Sequence, residues 1–423
     1  MSSDGRAQLV DARSSSFNGV LAAERRRSWL ARPMFVLAAF ALVYNTSFVG
    51  AESASTARIA VLLLMMYLIM GNKPIYTQKD WCVWLLFIPL PYVIAQGFFT
   101  RDLGQFSRFA NLALYAFLGA NMLARAVDDV EDTLEIMLAA ACLQALVIAF
   151  SFVNLDYRTW FDGAIASGSN VSAFSLYRAP GFSSTGGSAL SVAQSMGVLA
   201  GGLLLYWRRI HNRMQRPHAV VLQMLLCLLS CVLVGRTGLL LSAFFLVLFC
   251  VQGGAFKALL TIIGGVVFPV ILIGATFVQG LLPESFSSDF FLNWAFGFFT
   301  SGDDASVRDL ESMPIPPLSI DTFAGTGLVT DTGLGNPSGN DGGFVQAYYA
   351  MGLPMAALFY AAYAFVLWRL FAWLPWRSRL LCLLPLLAIE VKEPFVFKHS
   401  ILIVVVAIYT AVSRSRWSKQ ALL

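Results

Sequence analysis

Arg236 stands between two apolar runs, in Gly235-Arg236-Thr237-Gly238, with almost no loop around it. A cation in such a place is costly near a bilayer. It marks a functional site or a snorkelling side chain that pins a turn. Arg178 lies in Tyr177-Arg178-Ala179-Pro180-Gly181-Phe182, and Ser183-Ser184-Thr185-Gly186-Gly187 follow it. Free N–H groups at a helix start attract an anion, and a nearby guanidinium adds a bidentate grip on phosphate. An ordinary Gly/Ser cap with an arginine on its rim fits the same residues. Arg308 is the single cation among nine acids between residues 279 and 342, so it is either a counter-ion or a reserved anion contact. Glu390-Val391-Lys392-Glu393-Pro394 puts three charges into an apolar run. Glu390 and Glu393 are three apart and are expected on one helix face. Pro394 is expected to free a carbonyl one turn earlier. The trio reads as a site or as an ion pair holding two spans together. Asp341 stands where the long acidic loop meets an apolar run.

Other chemistries find little support. His211, His218 and His399 are too scattered for a metal triad, and the six cysteines all fall in apolar runs without zinc-site spacing or a secreted disulfide framework. No Walker A pattern occurs, and Asp128-Asp129 has no soluble domain around it to hold a nucleotide sugar. No metal, nucleotide or other cofactor is expected. Chemistry on this chain should act on a lipid-linked substrate at the outer face.

The elements that hold these residues are expected to be transmembrane helices. The chain has 423 residues, of which 58% are hydrophobic and 13% charged. Its mean hydropathy is +0.69, whereas a soluble domain is about 25% charged. A soluble enzyme, a disordered regulator and a nucleic-acid binder are excluded, and a net charge of +5 is too weak to suggest a polyanion partner. The bilayer itself is the first partner. Apolar runs between charges give about twelve spans, at 34–49, 57–70, 81–99, 109–124, 133–153, 189–206, 220–234, 239–253, 256–278, 343–370, 380–397 and 401–413. With an even number of spans and both ends inside, 20 of the 29 Lys and Arg lie on the cytoplasmic side, led by Arg25-Arg26-Arg27 and Arg208-Arg209. The expectation is an all-α, polytopic membrane protein with both termini cytoplasmic. Residues 1–33 read as a mobile leader rather than a cleavable signal, 34–413 as one transmembrane domain, and 414–423 as a cytoplasmic tail. Two outer loops are long, 154–188 and 279–342, the second between spans nine and ten. The second is too polar to be buried in lipid. Its Met313-Pro314-Ile315-Pro316-Pro317 run and its glycines suit an ordered cap as well as a floppy one.

From about the sixth span onward the chain resembles the Wzy-type O-antigen and exopolysaccharide repeat polymerases, which share a superfamily with the O-antigen ligases. The matching stretches are 177–182, 235–240 and 308–360; the last holds Gly325-Thr326-Gly327, Asp341-Gly342-Gly343-Phe344 and Met351-Gly352-Leu353 in the family's order. The resemblance implies joining of sugar repeats carried on undecaprenyl diphosphate, at the periplasmic face of a bacterial inner membrane, without metal or nucleotide. It implies diphosphate contacts at Arg178, Arg236 and Arg308, with Lys392 as a further phosphate contact or a neutralising charge. It implies a catalytic base at Asp341, or else at Glu393. A chain-length co-polymerase and a flippase are the expected protein partners. The ligase branch usually carries a histidine where Asn340-Asp341 stands, which favours a polymerase over a ligase transferring polymer to lipid A core. A lipid-sugar flippase is the alternative of another class, and it gives no reason for the 279–342 loop.

Overall fold

In a computed structural model of the protein, residues 31–49, 55–75, 81–127, 129–165, 181–184, 187–213, 216–263, 312–329 and 337–420 are described. The architecture is all-helical, with no strand among the described residues and one isolated antiparallel bridge, Phe48 to Ile165. Among the described residues, five helices are long and apolar enough to cross a membrane: Val83–Thr100, Gly104–Val127 (α4), Val130–Val153 (α5), Gly187–Ile210 (α7) and Leu353–Leu370 (α13). The first begins as a 3-10 segment and ends as α3, Leu90–Thr100. Shorter apolar helices are Ala31–Tyr44 (α1), Thr56–Met70 (α2), Pro217–Val232 (α8), Arg236–Gln252 (α9) and Ser400–Gln420 (α15). The rest are Leu155–Ala164 (α6), Phe256–Ile262 (α10), Ile320–Ala324 (α11), Gly343–Met351 (α12) and Trp376–Ala388 (α14).

α7 is the central element and is buried along most of its length. Its sequence explains this. Gly201 and Gly202 lie so close to Met224 and Phe249 that an added Cβ would come within 2.5 and 2.6 Å of them. Without a hydrophobic drive between helices in lipid, such small residues let helices approach and gain dispersion contacts. Several polar side chains inside the bundle are paired, which offsets the cost of burying them. Tyr44 and Gln194 hydrogen-bond at 2.7 Å, and Thr410 donates to Asn121 at 3.0 Å.

The two ends of the bundle differ. At one, Arg208 near the end of α7 reaches Glu131 at 2.6 Å and also Glu135, and Arg32 pairs with Glu135. Asp129 caps α5 there through the backbone N–H groups of Glu131 and Asp132. The acids at the start of α5 and Arg208 near the end of α7 suit the dipoles of their helices. The other end gathers the starts of α7, α9 and α12.

Two expected spans are interrupted. The run 343–370 breaks between α12 and α13 at Gly352, whose φ is 82°. The run 380–397 stops as α-helix at Ala388 and continues as two short 3-10 turns, Ile389–Val391 and Phe395–Lys398. Pro394 lacks an N–H and cannot continue an α-helix through this stretch. For the run 256–278, only the start is described.

Candidate functional site

The turn 389–398 is the centre of the site, because three of its side chains reach the starts of three helices. Glu390 has no exposed surface. Its Oε1 accepts the Val396 N–H at 2.7 Å and its Oε2 accepts the Tyr360 hydroxyl at 3.1 Å. Oε2 also lies against the first residue of α12, where a Cβ on Gly343 would sit 2.8 Å from it. Lys392 Nζ donates to Thr237 Oγ1 at 3.1 Å, in the first turn of α9 and beside Arg236. Glu393 takes the third start. Its carboxylate accepts from Ser188 Oγ in the first turn of α7 and pairs with Lys398 Nζ at 3.5 Å.

This corrects the expectation that Glu390 and Glu393 share a helix face. Glu393 follows the 3-10 turn rather than sitting on α14, so the two carboxylates diverge to different helices. It also changes the part expected of the start of α7. The residues after Arg178 were expected to open a helix that attracts a ligand's anion; a carboxylate of the chain itself, Glu393, is brought there. The carboxylates suit the helix dipoles they face, whereas α9 has two cations at its start, Arg236 and Lys392.

Asp341 lies next to this turn. A Cβ on Gly342 would stand 2.7 Å from the carbonyl oxygen of Val391, so the backbone at Asp341 abuts the segment carrying Lys392. Asp341 is exposed, and its carboxylate takes no hydrogen bond from the described residues. Its N–H faces Met313 Sδ at 3.5 Å, and its carbonyl accepts from Gln346 at 3.0 Å. Asn340 fixes the approach by accepting the Gly342 N–H at 2.8 Å and donating to the Pro314 carbonyl at 3.3 Å.

Arg236, Lys392, Glu393 and Asp341 therefore come together at one end of the bundle. Arg178 and Arg308 lie outside the described residues. The segment after Arg178 is stitched to the end of α1: Ser183 Oγ donates to the Tyr44 carbonyl at 2.7 Å, and Ser184 Oγ accepts the Ser47 N–H at 2.6 Å. Gly238 seats α9 on α7, with its N–H donating to Ser191 Oγ at 3.1 Å. Sequence reasoning missed Ser188, Thr237, Tyr360 and Lys398 as partners. Lys398 carried a signal, a charge at the edge of an apolar run; the three hydroxyls carried none. It also passed over Arg58, whose Nε donates to Tyr115 at 3.1 Å, with the His399 ring tilted against the same ring at 5.5 Å. Among the described residues, no three His, Cys, Asp or Glu side chains converge as a metal site. Comparison with protein families, with characterised proteins and with solved structures finds no match to this chain.

Proposed function

We propose that this protein is an inner-membrane polymerase of oligosaccharide repeats carried on a lipid diphosphate, with both termini cytoplasmic, about twelve spans and the site at the periplasmic face. The observation that supports it best is the meeting of Arg236 and Lys392 at the start of α9, where Lys392 bonds Thr237 at 3.1 Å. Two cations on a helix N-terminus suit a diphosphate. The resemblance in motif order is the second support, and the excess of cations on the opposite side supports the orientation.

In this reading the acceptor sugar hydroxyl attacks the anomeric carbon of the growing chain. The bond from that carbon to the diphosphate oxygen breaks, and the lipid diphosphate leaves with the electron pair. Arg236 and Lys392, with Arg178 and Arg308, stabilise the charge that grows on the leaving oxygen. The hydroxyl proton passes to a carboxylate. Asp341 suits that role better than Glu393, because Glu393 already accepts from Ser188 and pairs with Lys398, whereas the Asp341 carboxylate is exposed. Glu393 is then a positioning residue.

The test is a product assay with purified protein in liposomes and undecaprenyl-diphosphate-linked repeats as sole substrate. A ladder of lipid-linked dimers, trimers and longer chains is expected. No ladder, with transfer to added lipid A core instead, would make the protein a ligase. Movement of lipid-linked sugar across vesicles without any new bond would make it a transporter.

A further inference from the structure

The stretch 312–329 lies within what its acids mark as a polar loop, yet its described part contains only one charged residue, Asp321. It runs along α3, and hydrogen bonds mark its depth. Tyr92 and Gln96 both donate to the Ala324 carbonyl, and Gln96 also reaches the Gly325 carbonyl at 2.9 Å. Higher up α3, Gly327 lies against Thr100, and the Val329 N–H reaches Asp102 beyond the helix end at 2.8 Å. At a rise of 1.5 Å per residue, Ala324 sits about 6 to 12 Å inside the end of α3. The broken helix gives a second measure. Gly325 packs against Gly352, nine residues past the start of α12 and so about 13 Å in from the site end. Two elements thus place the bottom of this strap inside the bundle's length. Its upper end is fixed where Pro314 meets Asn340.

Between residues 315 and 323 the strap shows mostly apolar side chains outward, Ser319 and Asp321 being the exposed polar ones. Ile315 is 72% exposed, Leu318 67%, Ile320 87% and Phe323 50%. Alongside, Phe98 and Phe99 near the end of α3 are 78% and 89% exposed, on a helix apolar enough to cross a membrane. Part of the strap's backbone is satisfied internally as well. Pro314, Pro316 and Pro317 have no N–H to satisfy. Ser319 and Thr322 form a reciprocal capping box on α11. The Gly325 N–H reaches Asp321 at 2.7 Å, Thr326 reaches Tyr349 at 2.9 Å, and Gly327 reaches Ala350 at 2.9 Å. Irregular backbone survives at membrane depth only when its polar groups are satisfied in this way.

We propose that residues 315–323 form a lip inserted into the bilayer, continuous with the lipid-facing side of α3, and that its partner is lipid hydrocarbon. The inference stands apart from the polymerase reading, since any activity at the site leaves it unchanged.

The test is spin-label accessibility on the full-length chain in phosphatidylethanolamine and phosphatidylglycerol liposomes. Nitroxides go at Ile320→Cys and Phe323→Cys, with Phe98→Cys as the lipid reference and Asn72→Cys, exposed in a turn after α2, as the water reference. The unsubstituted protein supplies the background from its own cysteines. Relaxation by oxygen should match the Phe98 label, and relaxation by a nickel chelate should fall roughly tenfold below the Asn72 label. Chelate access like that at Asn72 would overturn the lip. Shielding from both reagents would also overturn it, because protein rather than lipid would then cover the strap. A variant that elutes as aggregate is replaced by Leu318→Cys, read in the same way.

Discussion

Glu390 shows how a charge in an apolar run is tolerated. Its carboxylate has no exposed surface and two donors, the Val396 N–H and the Tyr360 hydroxyl. Removing the acceptor strands both, and each buried unsatisfied group costs about 1–3 kcal/mol. Glu390→Leu should therefore unfold well below the parent in detergent thermal melts, while Glu390→Gln, which keeps an acceptor oxygen, should lose much less; equal losses would mean that the two donors do not matter. Asp341 calls for a kinetic test. Asp341→Asn should reduce turnover by about 100-fold or more while lipid-linked repeat binds with nearly the same affinity. An unchanged rate of chain growth would remove Asp341 as the base. The residues themselves were legible in the sequence because charge is rare there. Their partners were not. Lys392 meets Thr237 from 155 positions away, and Glu393 meets Ser188 from 205. No local pattern records such distances, and a serine at a helix start looks the same with or without a carboxylate above it.

At the scale of elements, hydropathy located most helices and concealed the breaks. Apolar residues continue through Gly352, so 343–370 reads as one span, although Gly352-Leu353-Pro354 carries a turn signal. The break exists because Gly352 and Gly325 face each other, both at positive φ, 82° and 92°. A Cβ on Gly352 would stand 2.5 Å from the Phe323 carbonyl oxygen. Gly352→Ala adds a clash to a conformation that already costs an alanine about 1–3 kcal/mol. It should lower the melting temperature and raise hydrogen exchange at Thr326 and Gly327, whose N–H groups bond the end of α12. Exchange confined to α13 would place the strain elsewhere. The second break, at Ala388, follows Pro385 and precedes Pro394, and two prolines nine apart were the available cue.

For the whole molecule, composition led to the expectation of an all-helical membrane protein, and the described residues are all-helical with five helices long and apolar enough to cross a membrane; the charge count gives only an expected orientation. The structure adds that Arg32, Arg208, Glu131 and Glu135 cluster at one end while Arg236, Lys392 and Asp341 lie at the other. With the first end in the cytoplasm, a cysteine at Asn72 should react with a membrane-impermeant maleimide only after spheroplasts are opened. A cysteine at Asp156, at the start of α6 on the opposite end, should react in intact spheroplasts. The reverse pattern would invert the orientation and put the site in the cytoplasm.

The turn 389–398 has a consequence for biosynthesis. A ribosome adds residues at about 5–20 per second, so the 205 positions between Ser188 and Glu393 take roughly 10–40 s. Over the last 155 of those positions the starts of α7 and α9 are both already made, while the glutamate and lysine that meet them are not. A nascent chain arrested before this turn is a set of helices with no site, and a late-translated stretch decides whether the earlier ones acquire one.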